Sequence, residues 1–256
     1  MSNLRKYFQS QILEIQNDTA LRIYGACLAM GQVLSVFNWF EKEQAINLSK
    51  IGEPLCWPFF ENCFEYRLLT PFGVKIVFLI FGFLSAIGVL LFLNRRLTAT
   101  AYWWQIGINI FKTLIYIQDF RMRMNQHYML YFVTFAFLFL PQKRNTLRYL
   151  LAFIYFGAGL LKYNAEWLSG NALYANPLWI SGRWVAVSCV YVVLLETFLV
   201  FGVLSKNEWI YWCTLFQLFL FHLVSWPVVG SFYPILMYLL LAIFPLTYFL
   251  KRKVSH

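Results

Sequence analysis

Apolar residues in this chain fall into eight long runs, at about 20–40, 74–93, 100–118, 127–141, 148–163, 184–204, 209–225 and 230–250. A helix needs about 20 apolar residues to cross the hydrocarbon core of a bilayer. The pattern therefore predicts an all-α, polytopic integral membrane helix bundle of about eight transmembrane helices. The fourth run, His127 to Pro141, is short and fits a tilted helix or one whose end is covered by neighbours. Ahead of the first run, Leu4, Phe8, Ile12 and Ile15 share one helical face. That spacing fits a short helix lying on the membrane surface, or equally an ordinary N-terminal extension. The chain thus divides into an interfacial segment at 1–18, a transmembrane domain at 19–250 and a basic C-terminal tail at 251–256. The first run follows a polar stretch with Glu14 and Asp18, and no small-x-small cleavage site follows it, so it does not read as a cleavable signal peptide.

Composition agrees with the pattern. Of 256 residues 61% are hydrophobic and 12% charged, with a mean hydropathy of +0.60. An ordinary soluble domain has roughly 45–50% apolar and about 25% charged residues, so a water-soluble globule and a disordered chain are both excluded. Net charge is +10. In a membrane protein a basic excess points to cytoplasmic loops and lipid headgroups. No nucleic-acid module accompanies it.

Loop charge gives an orientation. With both termini cytoplasmic, the inner segments hold eleven Lys and Arg against Glu14, Asp18 and Glu208, and the outer segments hold eight against seven acids. The basic count is the operative rule, and it places the termini inside a multi-pass plasma-membrane protein, with Arg121 and Arg123 running against the bias. Cys56 and Cys63 flank a Trp-Pro turn in the first outer loop, where an oxidising environment favours a disulfide. The opposite topology would leave them as free thiols. Cys27, Cys189 and Cys213 lie in apolar spans as small packed residues.

Ionisable groups inside spans are expensive and mark functional candidates. Lys112 and Glu196 each lie about twelve residues into their spans, roughly 18 Å deep at about 1.5 Å per residue. They are a candidate membrane-buried ion pair, structural or part of a transport path. Lys162, His127 and His222 all fall near the outer ends of their spans. Singly, each reads as a snorkelling or hydrogen-bonded interfacial residue; together they suggest a site. Two histidines and a lysine lack a usual metal-ligand set, so no metal is expected. No nucleotide loop, nucleophile elbow or HExxH signature occurs.

At these residues the sequence resembles a known family. Tyr155-Phe-Gly-Ala-Gly-Leu-Leu-Lys162-Tyr-Asn-Ala-Glu-Trp167-Leu-Ser-Gly170 is similar to a segment of the vitamin K-dependent gamma-carboxylase and of its bacterial relatives with the horizontally transferred transmembrane (HTTM) domain. Asn125-Gln-His127-Tyr and Phe221-His222 with Gly230-Ser-Phe232-Tyr-Pro234 resemble two further blocks, in the same order. The likeness covers the second half of the membrane domain. It implies a membrane-embedded, hydroquinone-dependent lyase-type enzyme acting on a peptide or small substrate at the outer face. Lys162 would be the base that deprotonates a vitamin K-type hydroquinone (menaquinol or similar), with His127 and His222 as hydrogen-bond donors at the ring. Tyr155, Trp167 and Phe232 would line the cofactor. Dioxygen and carbon dioxide would be co-substrates, giving an epoxide and a base strong enough to ionise a glutamate side chain.

Two departures shape that expectation. The carboxylase carries a large lumenal peptide-binding domain after its membrane part, and none is expected here. Leu161 stands where the animal enzyme has a second lysine. The alternative is a non-catalytic HTTM module of the SdpB type, which binds lipid or partner helices in a peptide-toxin maturation or secretion complex with a small partner protein.

Overall fold

The computed structural model describes residues 2–41, 56–60, 62, 65, 71–122, 124–173 and 180–250. Among them every regular element is helical and no strand occurs. The chain forms α1 (Ser2–Gln16), α2 (Thr19–Glu41), α3 (Pro71–Leu93), α4 (Thr98–Gln118), α5 (Asn125–Phe139) and α6 (Lys143–Leu161). These are followed by α7 (Ala165–Leu168), α8 (Arg183–Thr197), α9 (Glu208–Val229), α10 (Phe232–Leu241) and α11 (Ile243–Phe249). Five stretches are long and apolar enough to cross a membrane: Thr19–Phe40, Gly73–Leu93, Arg183–Leu204, Glu208–Val229 and Phe232–Phe249. They mark a membrane protein. Of the eight expected crossings, those in α4, α5 and α6 are not among these five. The reason is chemical for α4, whose buried face carries Gln105, Asn109 and Lys112, and geometric for α5, which has only 15 residues. The basic tail at 251–256 lies outside the described residues.

Local sequence explains where the helices begin. Asp18 caps α2, its Oδ1 accepting from the amides of Ala20 (2.9 Å) and Leu21 (3.3 Å). Pro71 opens α3, where a missing N–H costs nothing. Asn207 caps α9 by accepting from the amides of Trp209 and Ile210. Pro227 lies inside α9 and removes one internal hydrogen bond near its end.

The chain forms two compact units, Met1–Lys143 with Pro245–His256, and Arg144–Phe244. In the first, α2 packs most extensively on α3. Gly25 permits that approach: a Cβ there would sit 2.7 Å from the Phe92 ring. Trp39 is the centre of an aromatic cluster, 4.8 Å from Phe78 and 5.7 Å from Phe81 between ring centroids. The opposite face of α3 exposes Leu79, Phe83 and Leu90, as a lipid-facing helix must. Lipid tails are as apolar as leucine, so close packing and internal hydrogen bonds hold such helices together. Helix α1 joins this unit through Phe8, against Trp103 and Phe139, and through the Tyr7 hydroxyl, which donates to the Phe139 carbonyl.

In the second unit α9 packs on α10 and on the 3-10 stretch Leu199–Leu204 that continues α8. That stretch fits under α9 because residue 202 is glycine; a Cβ there would lie 2.1 Å from Thr214 Oγ1. Arg148 fixes it by donating to the Val203 carbonyl at 2.9 Å, its guanidinium lying 5.7 Å from the ring centroids of both Tyr211 and Phe244.

Candidate functional site

The second unit brings Lys162 onto Glu196. Lys162 follows the last turn of α6, its amide donating to the Gly159 carbonyl. Its ammonium lies 2.5 Å from Glu196 Oε2, the two side chains being 19% and 1% exposed. Gly159 makes this possible. A Cβ there would meet Thr197 Cγ2 at 2.7 Å, Glu196 Cβ at 2.9 Å and the Thr197 amide nitrogen at 3.1 Å. Two of these neighbours belong to backbone or to atoms held by it, so only glycine allows α6 and α8 to approach this closely.

The residues after Lys162 close over it. Asn164 caps the short helix α7, its Oδ1 accepting from the Trp167 amide at 3.0 Å. This turns Trp167 back until its ring lies 5.5 Å from Lys162 Nζ, a cation–π contact. Gly170 ends the turn with a φ of +82°, and a Cβ there would touch the Ala186 amide nitrogen at 3.0 Å. The Lys162–Trp167–Gly170 spacing is thus one local device: helix end, cap, indole lid and left-handed turn.

Two turns earlier on the same face of α6, about 10 Å along its axis, stands Tyr155. Its hydroxyl shares a 2.5 Å hydrogen bond with His222 Nε2 of α9. Both side chains are buried. The His222 ring meets Tyr233 edge-on at 5.5 Å and Tyr238 at 6.2 Å. Two buried polar atoms here have no partner, His222 Nδ1 and Glu196 Oε1. Phe232 is buried in the first turn of α10, two residues beyond Gly230, whose φ is +78°. Glu196 itself sits where α8 gives way to 3-10 geometry at Phe198, a change of winding common at functional or strained places.

His127 is held in the first unit. Its Nε2 lies 3.0 Å from Asn38 Nδ2 and its Nδ1 3.2 Å from Ser35 Oγ, while Trp39 covers its face at 5.2 Å. Ser35 spends its hydroxyl proton on the Gly31 carbonyl, so Nδ1 must donate to Ser35 and Nε2 must accept from Asn38. Both ring nitrogens are therefore engaged within that unit, while the second unit holds the Lys162–Glu196 and Tyr155–His222 contacts.

The two residues of the expected Lys112–Glu196 pair each have partners within their own unit. Glu196 takes Lys162, and Lys112 donates to Gln32 Oε1 at 2.6 Å and Ser35 Oγ at 3.4 Å. Gln32, Ser35, Asn38, Gln105 and Asn109 escaped the sequence reading, although Gln105, Asn109 and Lys112 recur at i, i+4 and i+7 within one apolar run.

Cys56 is disulfide-bonded; its expected partner Cys63 lies outside the described residues. Cys27, Cys189 and Cys213 are free. No group of His, Cys, Asp and Glu among the described residues is suited to a metal ion. Compared with protein-family models, with curated proteins and with solved structures, the chain matches none.

Proposed function

We propose that this is a membrane-embedded enzyme of the gamma-carboxylase type, in which Lys162 handles a phenolic proton of a bound hydroquinone. One observation carries the reading: a lysine, nearly buried, bonded to a carboxylate and roofed by an indole. A lone ammonium is a poor base because its proton has nowhere to go. Glu196 supplies the destination. Transfer across the 2.5 Å contact turns an ion pair into a neutral amine and a neutral acid, and apolar surroundings penalise that form less than separated charges. The free amine then accepts a proton from a hydroxyl brought within hydrogen-bond reach.

The neighbouring residues fit an aromatic diol. Trp167, Tyr155 and Tyr233 offer ring faces and edges, and the unpartnered Nδ1 of His222 is suited to bond a ring oxygen when Tyr155 donates to Nε2. Such a donor is typically worth about 2.7–4 kcal/mol in a transition state that develops negative oxygen. When bound, the hydroquinone would supply the reducing power, with dioxygen, that makes a strong base for carboxylation by carbon dioxide. Phe232, buried at the start of α10, would add an apolar side chain to the cofactor's surroundings.

The topology that goes with this reading has eight crossings, with α4, α5 and α6 added to the five apolar stretches, and both termini in the cytoplasm of a plasma membrane. The likeness to the HTTM type at Lys162, Trp167 and Gly170 supports it.

The test is direct. Purified protein receives reduced menaquinone and dioxygen, and quinone or epoxide formation is followed by chromatography. Turnover by wild type that falls at least about a hundredfold in Lys162→Ala and in Glu196→Gln supports the reading, on the scale of a lost general base. Equal turnover in wild type and Lys162→Ala defeats it. Cellular function retained after joint replacement of Lys162 and His222 would instead favour the non-catalytic, partner-binding module.

A further inference from the structure

The first unit holds a second charged centre that this chemistry does not use. Lys112 is fully buried, and both its hydrogen-bond partners, Gln32 Oε1 and Ser35 Oγ, are neutral. Its ammonium also lies 5.6 Å from the centroid of the Tyr116 ring. An ammonium in an apolar interior is expensive unless a counter-charge accompanies it.

The groups around it are rich in donors. Gln32 uses its carbonyl oxygen on Lys112, and its amide nitrogen is buried with no partner. The Trp39 indole nitrogen and the Tyr116 hydroxyl are likewise buried without a partner, and the two rings meet edge-on at 6.5 Å. One and two turns along α4, the amides of Asn109 and Gln105 are unpartnered at both ends and free to present either. Among the described residues the unmatched acceptor on the α2 side is Asn38 Oδ1. Because Ser35 gives its proton to the Gly31 carbonyl, it too presents only its oxygen to Lys112 and His127.

Water answers this arrangement poorly. A water molecule accepts about two hydrogen bonds and brings two donors of its own, and it leaves the positive charge unmatched. A halide-sized anion accepts from several donors at once, brings none, and cancels the charge. Complete burial of Lys112, Gln32 and Trp39 favours a small monatomic ion over a phosphate or a large carboxylate. We infer that the Lys112–Gln32–Trp39–Tyr116 cluster is a buried binding site for a small monovalent anion of halide size.

Radiolabelled chloride binding to the purified full chain in detergent tests this. Two variants are informative. Lys112→Met removes the charge, and Gln32→Glu places a carboxylate beside Lys112 and so occupies the role assigned to the ion. Wild type should bind chloride saturably and gain thermal stability on replacing gluconate with chloride. Lys112→Met should bind at least about tenfold more weakly. Gln32→Glu should bind none, yet melt above wild type in gluconate. Lys162→Ala should bind as wild type does, which separates this site from the proposed quinol chemistry. No saturable binding, or binding unchanged in both Lys112→Met and Gln32→Glu, would overturn the inference in favour of water alone.

Discussion

The pair between Lys162 and Glu196 is unequal, and that inequality can be measured. Glu196 is 1% exposed and Lys162 19%. Replacing Lys162 by Met strands a buried carboxylate whose Oε1 already has no partner. Stranding one partner of a buried pair costs about 3–5 kcal/mol, and this variant should lie at the upper end. Replacing Glu196 by Gln strands the lysine instead, but Gln still offers a carbonyl oxygen, Trp167 still offers its ring, and the stem can move toward the headgroups. The cost should be about 1–2 kcal/mol, the scale of a lost charge-assisted bond. The double variant removes both charges and should lose less than the sum of the two single losses, by a coupling of about 2–3 kcal/mol. Reversible unfolding in mixed micelles, followed by tryptophan fluorescence for all four proteins, gives these differences. Equal losses in the two single variants, or additive losses in the double one, would refute the argument that the carboxylate is the trapped partner.

Other consequences are as specific. Gly159→Ala should cost about 1–3 kcal/mol by overpacking α6 against Glu196 and Thr197, and it should abolish quinol turnover, as a paired melting and activity assay would register. Lys143 is buried, with its ammonium donating to Gln11 at 2.5 Å and to the Leu140 carbonyl at 2.8 Å. Burial lowers its pKa to about 8, against a weaker opposing pull from Glu14. The unfolded chain then binds more protons between about pH 8 and 10.5, so stability should rise with pH across that window by about 2 kcal/mol, and the rise should vanish in Lys143→Met. Trp167→Leu should leave the fold intact while raising the exposure of Lys162 to amine-reactive reagents. Reduction of the Cys56 disulfide should slow migration of the denatured chain, and Cys63→Ser should mimic it if Cys63 is the partner.

Much of this architecture is visible in the chain because membranes simplify the code. Runs such as 74–93 and 184–204 had to be helices, since a backbone in hydrocarbon has no other way to satisfy itself. The Lys162-to-Gly170 segment was legible for a different reason: end, cap and turn are all local. The partners of Lys162 and Lys112 were not legible. They depend on Gly159, Gly25 and the tilt of whole helices, none of which a charge count can weigh. The partners of His127 were not legible either, because the serine and asparagine that hold it lie about ninety residues earlier.

The change of winding after Thr197 makes the eighth helix longer than an α-helix of the same number of residues. Six residues in 3-10 form, Leu199–Leu204, rise about 2.0 Å each against about 1.5 Å in an α-helix. Rewinding them would shorten this crossing by about 3 Å, comparable with the few ångströms that separate thin from thick cellular bilayers. On this geometry, short-chain and long-chain bilayers should hold the Glu196 carboxylate in different registers against the lysine.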